Sequence, residues 1–256
     1  IAHVGLTARP AADSAQTFPA IADPDPWDPA SLQAPQAPAE ADRSDQRIAV
    51  LGDATLKALS EFHPLDPDLK SAFSDACAVF RQAGAETVEL ELPNLPHAVE
   101  AIVTLFSAEI ACANRTTLAD RKADYNPAVA EMIETGLAMS AEQLEQALRT
   151  RAQLRQDVIS AFASANAHFL LTPTAPRSAM PLSQFDPSEE LASLIPFTCG
   201  FNLTGNPAIS LPCGFTRDGM PIGLQIVSRH LTETALLELA QQYQRATDWH
   251  KQRPRL

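Results

Sequence analysis

Glycine is scarce in this chain. Nine glycines in 256 residues is about half the roughly 7% typical of globular domains. That leaves little of the Gly-rich loop with which proteins cradle phosphates, and neither G-x-x-x-x-G-K-[ST] nor G-x-G-x-x-G occurs. The nucleophile elbow G-x-S-x-G of an α/β-hydrolase is also missing. Basic residues are few, 19 Lys and Arg against 31 Asp and Glu, for a net charge of −12. Such a surface repels nucleic-acid phosphates and anionic lipid, so neither is expected as a partner. No apolar run is expected to reach the ~18–20 residues of a membrane span, and no charged-then-apolar leader opens the chain. Cysteines number four, Cys77, Cys112, Cys199 and Cys213, with no C-x-x-C. They read as buried, reduced thiols in a cytoplasmic protein. The six histidines are scattered singly, so no metal or other cofactor is expected.

What glycine there is falls in one place. Five of the nine lie between Gly200 and Gly223, where backbone must turn sharply or approach something closely. The rest reads as an α/β core. Seven prolines in the first 47 residues predict an irregular connector over 23–46, preceded by a short helix within 7–21. Strands are expected at 47–52 and 87–92. Between them Asp66 and Pro67 open a helix whose apolar residues Leu69, Phe73, Ala76, Cys77 and Phe80 recur at helical spacing, closed by Gly84. Strand, helix, strand implies parallel pairing. Three helices follow, near 97–118, 127–136 and 140–165, the last opened by the capping box S-A-E-Q. A buried strand is expected at 167–172, stopped by Pro173. Strands at 206–215 and 221–228 form a hairpin about Asp218-Gly219, and a helix at 233–246 ends the fold.

No complete catalytic constellation appears. Ser210, inside a strand, reads as a packed hydroxyl. Cys199 or Cys213 as a thiolate would need a histidine beside it, and nothing in the spacing brings His230 to either.

Residues 196–228, P-F-T-C-G-F-N-L-T-G-N-P-A-I-S-L-P-C-G-F-T-R-D-G-M-P-I-G-L-Q-I-V-S, resemble the carboxyl-terminal block of the amidase signature family. F-L-L-T-P-T-A-P at 169–176, H-V-G-L-T-A-R-P-A-A-D at 3–13, I-A-D-P-D-P-W-D-P at 21–29 and the tail A-T-D-W-H-K-Q-R-P resemble other family segments. The resemblance covers the whole chain but only about half of the family. It implies an α/β fold, a mixed β-sheet flanked by helices on both faces, of which residues 1–256 are the carboxyl-terminal portion. It further implies hydrolysis of a small-molecule carboxamide through a serine activated by a cis-serine and a lysine. Those three residues belong to a segment preceding H-V-G, and no position here matches them. No catalytic residue is therefore named, and the missing amino-terminal half, in the same or a separate chain, is the expected partner. The isolated chain is expected to be inactive, and poorly soluble or oligomeric.

By the same resemblance the substrate-pocket wall falls on Thr198 and Asn202, on Pro173 and Thr174, and on Phe197 and Ile195 for side-chain specificity. The plainer reading of Thr198 and Asn202 is that they only satisfy loop backbone. Glutamine-dependent amidotransferases of the family place an acidic residue seven positions before that asparagine, where this chain has Ile195. The arginine they place shortly before Gly136 is replaced by apolar and acidic residues. A generic amidase fits better. The alternatives are a non-catalytic binding or regulatory remnant and an amidotransferase subunit.

Overall fold

The computed structural model describes residues 3, 5–22, 24–27, 47–61 and 64–253, and the side chains of all these except 187–189 and 191. Most of the proline-rich connector expected over 23–46 lies outside the described residues; Pro24–Trp27 is a turn without regular structure.

Five strands form one mixed sheet, β1 (Arg47–Leu51), β2 (Glu86–Leu90), β3 (Phe169–Pro173), β4 (Ala208–Phe215) and β5 (Pro221–Ser228), in the order β2-β1-β3-β5-β4. The first three are parallel, as strand–helix–strand connections require, while β5 runs antiparallel to both β3 and β4. The hairpin turns at Gly219, whose φ of +85° suits glycine, and Thr216 N–H donates to Met220 O across it at 2.8 Å.

Alternation along the strands sorts side chains onto two buried faces. Ala49, Leu51, Leu170 and Val227 point to one core, covered by α4 (Ala98–Arg121), α6 (Ala141–Ser164) and α8 (Cys199–Thr204). Ile48, Phe169, Leu171, Leu224 and Ile226 point to the other, covered by α3 (Pro67–Gln82) and α9 (Glu233–Ala246), with α1 (Ala11–Thr17) lying on α9. Leu154 of α6 is wholly buried in the first core, and truncating it to alanine would cost about 2–5 kcal/mol.

The local signals act as expected. Asp66 accepts from Asp68 N–H at the start of α3, and both arms of the capping box at Ser140 and Gln143 are formed. Gly136 lets α5 (Pro127–Leu137) lie directly on α4, since a Cβ there would sit 2.0 Å from Ser107 O. Three helices escaped the sequence reading: α2 (Asp53–Leu59), α7 (Pro187–Leu194) and α8. They run six to eight residues, too short for periodicity to speak.

Other expectations need correction. Cys112 is exposed, unlike the other three cysteines, because it lies on the outer side of α4. Pro173 ends β3 inside the ladder, opposite Leu224, rather than stopping the strand before it. Strand β4 begins at Ala208, not 206, because Asn206 turns its side chain to Ser228 O. Within residues 95–124, built on α4, an 18-residue window has a mean hydropathy of 1.3, enough by length and composition alone to cross a membrane. In the fold that helix packs against α5, α6 and α8.

Candidate functional site

The site is built where β3, β5 and the chain before α8 converge, at the carboxyl end of β3. Ligands of open α/β sheets lie outside such strand ends. Its keystone is Gln225, in the middle of β5. One apolar strand residue after another precedes and follows it, and its buried side-chain nitrogen donates to Thr172 Oγ1 at 2.7 Å and to Phe197 O at 2.8 Å. One side chain thus fastens the end of β3 to the segment that opens α8.

Helix α8 is then fixed from its far end. Gly205, at φ +74°, takes the left-handed conformation that closes it. Arg151 donates to Leu203 O at 2.9 Å, and Arg155 to Thr204 O at 2.9 Å. His230 Nε2 lies 2.8 Å from the same Thr204 carbonyl. Cations here offset the negative end of the helix dipole. His230 is committed to this cap and away from both cysteines considered as its partners. Burial pushes the Cys199 thiol up to about 12, and burial with the neighbouring Cys77 pushes Cys213 to about 12. Neither offers a thiolate near neutral pH.

Against this frame the six expected wall residues separate. Pro173 is buried at the end of β3. Thr174 follows it and turns its hydroxyl to 3.3 Å from Ser210 Oγ, an exposed pair. Ser210 is therefore not packed: it faces outward from β4 on the side that α8 leaves uncovered. The approach depends on Gly223, since a Cβ there would stand 2.8 Å from Thr174 Oγ1 and 3.3 Å from Ser210 Oγ. Thr198 is half-buried at the start of α8, and its hydroxyl donates to Ile195 O at 3.2 Å. That bond to loop backbone is the one the plainer reading expects.

Asn202 makes no hydrogen bond to backbone among the described residues. It is exposed, with Nδ2 3.4 Å from His3 Nδ1, which brings His3 to the wall. Ile195 is partly buried against the first core. Phe197 is wholly buried there, so it is the carbonyl of Phe197, not its ring, that meets the site residues. The structure thus gathers Thr174, Ser210 and Gly223 on one shelf, with Asn202 and His3 beside α8. Ser210 was misread, and Gly223, Gln225 and His3 were not singled out. A polar residue interrupting the apolar run I-G-L-Q-I-V was the signal for Gln225. Among the described residues no group of three or more His, Cys, Asp or Glu could hold a metal.

A sequence model of the family described as Amidase matches residues 1–237. This chain belongs to the amidase family. Curated relatives of this amidase-family chain include the glutamyl-tRNA(Gln) amidotransferase subunits A of Synechococcus sp. (strain CC9902) and Geobacter sp. (strain M21). They are 32% and 31% identical over 99% and 97% of the chain. The chain spans about half the length of the curated relatives it matches, 56% in both cases. Among solved structures, 6-aminohexanoate cyclic dimer hydrolase with substrate superposes with a TM-score of 0.79. It is 24% identical, over 96% of this chain and 55% of that one. An allophanate hydrolase of Kluyveromyces lactis gives 0.78 at 22% identity, over 91% of this chain and 38% of that one. These likenesses carry the fold.

Proposed function

We propose that this chain supplies the scaffold and the substrate-pocket wall of an amidase that cleaves the C–N bond of a small carboxamide. The observation that carries this reading is the shelf of Thr174, Ser210 and Gly223 beside Asn202. It is an exposed hydrogen-bonding surface at a strand end, with no nucleophile activated among the described residues. The chemistry comes from the segment bearing the family's Lys, cis-Ser and Ser. The serine oxygen attacks the carboxamide carbon, the amine or ammonia departs with a proton, and water then releases the acid. Three buried free thiols suit a reducing compartment such as the cytoplasm.

A second reading, a glutamine-dependent amidotransferase subunit, is favoured by the names of the relatives. Against it stands Ile195, a half-buried apolar side chain where a glutamine ammonium would need a carboxylate. The test is ammonia release by the full-length protein containing this chain. Faster turnover of apolar carboxamides than of glutamine, with a raised KM in Asn202→Ala, is the expected result. Glutamine as the preferred donor would overturn the generic-amidase reading and favour the second.

A further inference from the structure

On the face of the sheet opposite the shelf, α3, the β4–β5 hairpin and the chain after α9 border an open groove of about 500 Å³. That is within the ~300–1,000 Å³ of small-molecule sites. Its walls combine two chemistries. Phe215 and Trp249, 42% and 37% exposed, tilt towards each other with ring centroids 6.0 Å apart. Three carboxylates, Asp68, Asp75 and Asp248, line it against one guanidinium, that of Arg217.

Two of those carboxylates are spoken for. Asp68 accepts from Arg217 Nε and from the Arg217 amide, each at 2.9 Å, and Asp248 pairs with Lys251 at 2.6 Å. Asp75, exposed on α3, makes no ion pair or hydrogen bond among the described residues. Tyr243 lies beneath it, its ring stacked 5.3 Å from Phe80 and its hydroxyl shut off from solvent.

The geometry points to a second binding site here for a small organic cation with an apolar or aromatic body. Asp75 would take the charge and the faces of Phe215 and Trp249 the body. This site is separate from the shelf and does not depend on amide chemistry. The probe is benzamidinium, titrated calorimetrically into the full-length protein, with neutral benzyl alcohol as its apolar control. Saturable binding of benzamidinium but not of benzyl alcohol is expected, weakened about tenfold in Asp75→Asn, as loss of one charge-assisted contact implies. Asp75 is exposed, so that variant should melt with the wild type. Phe215→Leu removes an exposed ring face and should also bind more weakly. Absence of saturable binding at millimolar benzamidinium, or wild-type affinity in either variant, overturns the proposal.

Discussion

Gln225 Nε2 lies 2.8 Å from Phe197 O, so a residue in the centre of β5 holds the chain that opens α8, 28 positions earlier. The same nitrogen reaches Thr172 on β3, and all three groups are buried. Replacing it with leucine orphans the Phe197 carbonyl, at about 1–3 kcal/mol for an unsatisfied group, and leaves the Thr172 hydroxyl with only its bond to Pro173 O. Gln225→Leu is expected to lower the melting temperature and, in the full-length protein, to raise KM for a carboxamide, because α8 loses its register to β3. Thermal melts and steady-state kinetics measure both. A variant that melts lower but keeps its KM would confine Gln225 to stability.

Gly223 makes a sharper separation. Its missing Cβ is what lets Thr174 and Ser210 meet over β5. The φ there is not in the left-handed region, so alanine is sterically, not conformationally, disfavoured. Gly223→Ala is expected to push the two hydroxyls apart, with a cost of about 1–3 kcal/mol and a larger fractional loss in kcat/KM than in stability. Parallel measurement of urea midpoint and kcat/KM tests it; proportionate losses would count against the shelf as a substrate surface.

Glu91 gives the chain an acid limb in its stability. Partial burial pushes its pKa up, but the Thr55 hydroxyl and the Thr55 and Ala54 amides, all donating to it at the start of α2, outweigh that and leave it lowered. A carboxyl whose folded pKa lies below its unfolded value stabilises fully above the unfolded value, about 4.3 for Glu. That contribution is lost as pH falls through the folded value. Stability should therefore decline on acidification below about pH 4.3, with a shallower decline in Glu91→Gln. Chemical denaturation at a series of pH values would reveal identical slopes if Glu91 were uninvolved.

The cysteines should react unequally. Cys112 is exposed, whereas Cys77, pushed up to about 11 by burial, and Cys199 and Cys213, at about 12, are buried. Iodoacetamide at mildly alkaline pH should modify Cys112 in the native protein and the other three only after denaturation. Peptide mass spectrometry would contradict this by finding Cys199 or Cys213 alkylated first.

How much of this was legible beforehand follows from the physics of each signal. The periodic apolar faces of α3 and α9, the capping box at Ser140 and the Asp218-Gly219 turn are local, so each element stood where its residues put it. The short helix α8 was hidden because its stability is tertiary: Arg151, Arg155 and His230 reach its last carbonyls from α6 and from beyond β5. Ser210 was misread for a related reason. Strand residues alternate, but which side stays uncovered is decided by how far the helix layer extends. Thr174 and Asn202 were reachable through the family resemblance, while Gly223 and His3 acquire meaning only from what they approach.

The central claim is that residues 1–256 form the pocket wall while the nucleophile lies in another segment of the full-length protein. A fluorophosphonate probe with the labelled peptide mapped by mass spectrometry tests it most directly. The account predicts one labelled serine outside these residues, with labelling slowed by a competing carboxamide. A label on Ser210, or on any other serine of this chain, would contradict it.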